Sequence, residues 1–254
     1  MPEIHARLSA SGAKRWMACP KSVAVEETLP ESTSAYAEEG TKAHALAEKL
    51  LAIYKATGRK RFNEDELEDE TSSEMLNNVY SYVDYIAEIY EGLMLEHKDT
   101  LLFVEVRVDF SRYVREGFGT CDCAIIANKT LHVIDLKYGK GVRVDCKENP
   151  QPRLYALGAI EMFDWEYPLE EVKTHIYQPR LDWVDTETNT VDFLRRWGEE
   201  EVKPKAELAW NNEGEFNPGE HCQFCKAKPI CKARAKKALE ALAKFAEEGG
   251  ELDD

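Results

Sequence analysis

The sequence predicts an α/β fold built as a single domain. Three observations lead there. The first hundred residues carry helical periodicity, the next ninety alternate like strands around one internal helix, and the remainder returns to helical spacing. No Pro-, Gly- or Ser-rich stretch is long enough to separate two domains. The expected organisation is one domain over residues 1–240: helical over 1–100, a core sheet with one helix over 101–190, and a helical segment with a cysteine cluster over 191–240. Residues 241–254 are expected to hold the end of a helix and an acidic, disordered tail.

Taken in order, Ser11 is placed to cap a helix running to about Glu27, and "PESTSAY" reads as a loop. Ala43, Leu46, Ala47, Leu50 and Tyr54 share one face of a helix expected over about Glu38 to Ala56, with Gly58 beyond its end. Ser72 or Ser73 can cap a longer helix to about Glu96, striped by Leu76, Val79, Val83, Ile86 and Tyr90. "LLFVEVRVDF", "GFGTCDCAIIA" and "LHVIDLKYG" read as strands, "VRVDC" as a short fourth, "EVKTHIYQP" as a fifth and "LDWVDT" as a sixth. Asn149 and Pro150 start a helix over Gln151 to Phe163. A helix from about Val191 to Trp210 should bend before Pro204, and the last should span about Lys232 to Glu247. The five tryptophans read as core residues.

The net charge of −15 argues against a protein that coats nucleic acid indiscriminately. Much of the acid sits in "EDELEDE" (64–70) and "EEGGELDD" (247–254). Basic clusters persist at Lys14–Arg15, at Lys137, Lys140 and Arg143, and from Lys226 to Lys237. No run approaches eighteen apolar residues, so no membrane span is expected, and the start lacks the apolar stretch of a signal peptide. These features lead to the expectation of a cytoplasmic protein. In that compartment its seven cysteines point to metal binding or core packing rather than disulfides. Cys121, Cys123 and Cys146 read as small buried hydrophobes.

One hairpin carries candidate chemistry. If Asn128-Lys129 forms a two-residue turn, Ile126 faces Leu131, Ala124 faces Val133 and Asp122 faces Asp135. Opposed Cβ atoms lie roughly 4.5–5.5 Å apart, and like charges there destabilise a sheet. A hard divalent cation between the carboxylates would reverse that sign. Lys137, two residues beyond Asp135 on the same face, could then orient water or hold a phosphate. The bland alternative is a solvated strand face with chance acids. A second cluster, "HCQFCKAKPIC", places His221, Cys222, Cys225 and Cys231 within eleven residues. Alone, it could form a Cys₃His zinc site.

"GTCD…IDLK" resembles the core of the PD-(D/E)XK nuclease superfamily in its RecB-type form. There, an acid near the end of one strand is followed by acid-x-Lys on the next, as in Asp122, Asp135 and Lys137. A strand glutamate, Glu105, lies upstream of the first acid; Gly40-x-x-x-His44 lies further upstream, and Gln151-x-x-x-Tyr155 downstream. In the iron–sulfur branch of that superfamily, one N-terminal cysteine and three C-terminal ones hold a 4Fe–4S cluster. Cys19, in a Cys-Pro pair, with Cys222, Cys225 and Cys231 matches that pattern. AddB-type nucleases and CRISPR-adaptation exonucleases share the layout, and a phage-encoded branch is the nearer match.

The resemblance implies a restriction-endonuclease-like core sheet flanked by helices, with the helical termini joined by the cluster. It implies a Mg²⁺- or Mn²⁺-dependent deoxyribonuclease, an exonuclease acting on ends or single strands in phage or bacterial recombination. His44, Glu105, Asp122, Asp135 and the Leu136 carbonyl would bind the metal, with Lys137 on the attacking water and Gln151 and Tyr155 auxiliary. Lys14, Arg15, Lys140, Arg143 and Arg153 would contact DNA. A single-strand annealing protein is an expected partner, and an oligomer fits processive work. The rival reading is a non-catalytic nucleic-acid-binding or assembly module, stapled by Zn²⁺ around a vestigial core.

Overall fold

The computed structural model describes residues 6–30, 35–67 and 71–247. Five strands form one mixed sheet: β1 (Leu101–Asp109), β2 (Phe118–Ala127), β3 (Thr130–Leu136), β4 (Glu171–Gln178) and β5 (Trp183–Thr190), in spatial order β1-β2-β3-β4-β5. Every neighbouring pair is antiparallel except β3 with β4. That parallel step needs a crossover, and α5 (Pro150–Phe163) supplies it.

The sheet is covered on both faces. One core cluster packs Val108, Ala124, Ile126, Leu131 and Val133 against Leu154, Leu157 and Ile160 of α5 and against Trp16 of α1 (Ala13–Ala18). α6 (Val191–Trp197) and α7 (Lys203–Trp210) join that layer through Leu194 and Ala206. The opposite face packs Cys123, Ile125, Ile134 and Leu136 against α3 (Ala35–Thr57) and α4 (Ser73–Glu96) through Leu50, Leu51, Val79, Val83 and Ile86. Alternation along the strands thus serves two cores at once. Gly158 lets α5 lie close on β1, since a Cβ there would come within 2.9 Å of Val108 Cβ.

Local chemistry sets several boundaries as the sequence predicts. Ser72 Oγ accepts from Met75 N–H and starts α4, and Asn149 Oδ1 accepts from Gln151 N–H ahead of Pro150. Asn128 and Lys129 make the β2–β3 turn, both with left-handed φ of 45° and 63°. The resulting ladder pairs Ala127 with Thr130, Ile126 with Leu131, Ala124 with Val133 and Cys123 with Ile134, which is the register a two-residue turn dictates. Before Pro204 the helical run passes through a π-helical turn over Gly198–Val202.

Other elements differ. The first helix is two: Cys19 leaves helical geometry at φ −136° and Pro20 follows it, so α1 ends and α2 (Ser22–Glu27) begins anew. Cys19 therefore sits in a break rather than within a helix. Ser11 is not the cap; Gly12 occupies that position, and its N–H donates to Ser9 Oγ. α3 starts at Ala35 rather than Glu38. "VRVDC" is not a strand. Its N–H groups bond side chains instead, Val144 to Gln178 Oε1 and Cys146 to Asp185 Oδ2, each at 2.7 Å. "LDWVDT" is the start of β5, which continues to Thr190.

Trp165, expected in the core, is 81% exposed, whereas Trp16 is buried and donates Nε1–H to Ser9 O. Of the acidic insert, Glu64–Glu66 form a short 3₁₀ turn in which Glu66 pairs with Arg59 and accepts from Asn63 N–H. Glu68–Glu70, part of "PESTSAY" and the acidic tail from Glu248 onward lie outside the described residues. α8 (Lys232–Glu247) occupies the expected range. Among the described residues, no helix is long and apolar enough to cross a membrane.

Candidate active site

The hairpin ladder ends at Cys123–Ile134, and continuing its register by one pair sets Asp122 opposite Asp135. The β1–β2 ladder skips one position, and that position sets Glu105 opposite Asp122. Three acids therefore lie in one row across β1, β2 and β3. The skipped position is also where the strands reverse. Glu105 has a left-handed φ of 49°, a strained value for a strand residue. Before it, Leu101 and Phe103 face the α5-side core; after it, Val106 and Val108 do. On β2 the same reversal falls between Cys121 and Cys123. Register is identical on both sides, so no residue is inserted as in a bulge. Both strands flip together at the Glu105–Asp122 pair and turn these side chains toward α3.

α3 supplies His44, whose Nδ1 lies 3.2 Å from Asp122 Oδ1. Asp122 Oδ2 accepts from Leu136 N–H at 2.7 Å, so the aspartate occupies the place of the missing ladder bond. His44, Glu105 and Asp122 each offer one ligand atom, and the three lie within 4.8 Å of one another. Among the described residues this is the one His/Cys/Asp/Glu group that meets that spacing. Asp135 is not part of it. Its carboxylate is buried, held by Lys137 Nζ 2.7 Å from Oδ2 in an ion pair that lies off hydrogen-bond directions, and by Gln151 Nε2 donating to Oδ1 at 3.2 Å. Tyr155 Oη receives the same amide at 3.4 Å, and Gly119 makes room for the ring, since a Cβ there would sit 2.7 Å from it.

Burial disfavours a charged His44, but Asp122, by charge and hydrogen bond, and then Asp135 outweigh it; the pKa rises to about 9. Asp135 is pushed above the ordinary carboxylate range, first by burial and then by Asp122, with Lys137 opposing. Burial likewise pushes the Tyr155 phenol up, with Asp135 adding to it. The site opens into a cavity of about 530 Å³ between α3, the β1–β2 edge and the segment Ser9–Ser11. Gly40 lines it, and a Cβ at Gly40 would meet nothing within 4 Å.

The expected nucleic-acid contacts fare unevenly. Arg153 is 6% exposed, pairs with Glu187 through both Nε and Nη2, and lies over Phe193 and Trp197. It is a structural cation, and the expectation that it contacts DNA is corrected. Arg15 is likewise committed, to Glu26 at 2.8 Å. Lys14 stands 3.8 Å from Glu220, both exposed. Lys140 and Arg143 are exposed on the loop after β3, Arg143 stacked over Trp183. None of the five lines the cavity, but Arg107 does, together with Phe118 and Thr120. The alternation of "FVEVRV" concealed it, because the reversal at Glu105 decides where Arg107 points.

The four cysteines meet elsewhere. Cys19, Cys222, Cys225 and Cys231 line one small apolar cavity of about 20 Å³, with His221 also on its wall. Backbone N–H groups of Asn217, Gly219 and Arg234 point at the Sγ atoms of Cys19, Cys222 and Cys231, at 3.4, 3.4 and 3.5 Å. Cys121, Cys123 and Cys146 are buried apart from this cavity, and burial pushes their thiols up, Cys146 to about 11.

The fold and site define an α/β protein with a five-stranded mixed sheet and a His–Glu–Asp group at its β1–β2 edge. The chain matches the family described as "Protein of unknown function (DUF2800)" over residues 5–254, and it belongs to that family. A solved structure described as "Crystal structure of SSO0001" is 13% identical, with 87% of this chain and 96% of that chain covered at a TM-score of 0.33. A likeness of that size carries no argument.

Proposed function

We propose that this protein is a divalent-metal-dependent DNA nuclease acting on ends or single strands. The observation that carries the reading is the acid row on three adjacent strands, flanked by His44 at 3.2 Å and Lys137 at 2.7 Å, beside an open cavity. Stacking carboxylates there costs stability unless a cation balances them. The donor set fits one: His44, Glu105 and Asp122 supply an imidazole and two carboxylates. That mixture suits Mn²⁺ better than Mg²⁺, which prefers oxygen ligands. When bound, such an ion stabilises charge on the phosphoryl oxygens and activates water. Gln151 holds the Asp135 carboxylate, and Asp135 fixes the Lys137 ammonium. Lys137 can then donate to the attacking water or to a nonbridging oxygen. The Leu136 N–H anchors Asp122, so the carbonyl of the same residue lies beside the site as a further donor.

The finer reading of the cysteines is a structural 4Fe–4S cluster. Four thiols around one cavity, with three N–H groups aimed at sulfur, fit a thiolate-held group. A single zinc ion with 2.3 Å bonds gathers tetrahedral sulfurs to within roughly 4 Å of one another. No three of these sulfurs lie within 4.8 Å of one another, a wider spacing than that zinc geometry. His221 Nε2, buried without a hydrogen-bond partner, keeps a zinc site in view as the alternative.

Two measurements test these readings. End-labelled single- and double-stranded DNA should be digested in Mn²⁺ by anaerobically purified protein and not by Asp135→Ala; equal cutting by both would remove the assignment. The same preparation should be brown and contain iron, and Cys19→Ser should lose the colour and melt lower. Stoichiometric zinc without iron, unaffected by Cys19→Ser, would establish the zinc alternative.

A further inference from the structure

Arg107 is a cation that does not fit its surroundings, since it shares a cavity wall with three carboxylates. Most arginines of this acidic chain are spoken for: Arg7 by Glu27, Arg61 by Asp84, Arg153 by Glu187 and Arg180 by Glu39 and Glu74. Arg107 has no ion pair among the described residues. Its guanidinium carbon lies over the Phe118 ring, 4.0 Å from the centroid, on the wall of the cavity that also holds His44, Glu48, Glu105 and Asp122. Thr120 pairs with Arg107 in the ladder and lines the same wall, so the two strands present a fork-shaped cation, a hydroxyl and an aromatic edge side by side.

The Glu105 reversal creates this placement, because Val106 and Val108 turn into the α5-side core and send Arg107 the other way. Three carboxylates repel an anion, and a lone guanidinium among them needs a reason. A guanidinium held over an aromatic ring still has N–H donors to offer two oxygens of one phosphate.

We propose that Arg107, held by Phe118, is the phosphate anchor for a single DNA strand threaded into this cavity; the inference rests on the nuclease reading. The anchored phosphate is the neighbour of the one presented to the acid row. The cavity, at about 530 Å³, has the size of a small-ligand pocket and is walled by Ser9–Ser11 on one side and α3 on the other, which suits one strand rather than a duplex. Ser9 and Ser11, whose hydroxyls lie 3.2 Å apart, line the opposite wall.

The test measures binding without cleavage: anisotropy of a fluorescein-labelled oligothymidylate in Ca²⁺, over a range of salt, for the parent, Arg107→Gln, Arg107→Lys and Phe118→Leu. Arg107→Gln should weaken binding roughly tenfold or more and reduce the log–log salt slope by about 0.7, the share of one phosphate on a single strand. Arg107→Lys should restore the slope but only part of the affinity, because it keeps charge and loses the stacked fork. Phe118→Leu should fall between the parent and Arg107→Gln. Melting of Arg107→Gln should match the parent, since an exposed cation without an ion pair is removed.

Parent-like affinity and slope in Arg107→Gln, with the parent still cutting DNA in Mn²⁺, would overturn the anchor and leave the nuclease reading standing. A blunt duplex bound as tightly as the single strand by the parent would overturn the single-strand assignment. A parent that neither binds the oligonucleotide nor cuts it would overturn both.

Discussion

The sheet contains two pairs of titratable side chains that meet across neighbouring strands, and they are resolved in opposite ways. On β3 and β4, His132 Nδ1 lies 3.1 Å from His175 Nε2, the rings are stacked, and Tyr85 Oη lies 2.8 Å from His175 Nδ1. Burial and the nearby Lys173 hold His132 down to about 4; burial, His132 and Lys173 hold His175 down to about 3. The pair is neutral, nearly closed to solvent and mutually satisfied. On β2 and β3, Asp122 stands at the position opposed to Asp135 and helps push its carboxyl up, but beside a cavity, with His44 and Lys137 drawn in and a strained backbone at Glu105. Burial of ionisable groups alone therefore does not mark a site. What separates the two is that one arrangement is closed off from solvent and neutral, while the other gathers Glu105, Asp122 and His44 on the wall of an open cavity.

Several changes would break or sharpen that contrast. The largest expected effect is on cleavage: Asp135→Ala should lower Mn²⁺-dependent activity on the order of 10³-fold or more, whereas His175→Phe should leave it at the parent level. Lys137→Ala should lose a factor of about 10²–10³ in rate yet keep Mn²⁺ affinity, read by direct metal titration. The histidine pair should appear in stability instead. Its folded pKa values lie below the ordinary histidine range, so the unfolded chain takes up more protons as pH drops. Its contribution is full above about pH 6.5 and is lost as pH falls toward 3, read as an acid-side drop in the unfolding free energy from chemical denaturation. The double variant His132→Leu/His175→Phe should flatten that acid limb. The smallest effect is at Gly40, a helix-interior glycine with open space at its Cβ: Gly40→Ala should raise stability by roughly 0.5–1 kcal/mol.

The hairpin was legible because it is local. Two turn residues fix the register that opposes Asp122 to Asp135, and Lys137 follows Asp135 by parity; the face of Asp122 was not legible, because β2 reverses between Cys121 and Cys123. The caps at Ser72 and Asn149 are local in the same way. What escaped depends on distant partners. "VRVDC" has the composition of a strand, but its N–H groups are taken by Gln178 and Asp185, more than thirty residues away in sequence. Arg153 looks like a free cation until Glu187 is beside it. Arg107 was hidden by a backbone reversal at Glu105, which no side-chain pattern announces. The four cysteines named together from the sequence line one small cavity, and no three of their sulfurs come within 4.8 Å of one another.

The clasp between the two ends of the chain bears on how the protein is made. Arg7 Nη1 donates to Trp210 O, Asn217 Nδ2 to Ala18 O, and Lys226 N–H to Glu26 Oε1, so the segment that walls the cavity is held by residues about two hundred positions later. A ribosome delivers that wall first and its anchors last. A nascent chain halted after β5 would already carry Glu105, Asp122, Asp135 and Lys137, but its N-terminal wall would lack the partners at Trp210, Asn217 and Lys226. The clasp is therefore complete only once translation has passed residue 226.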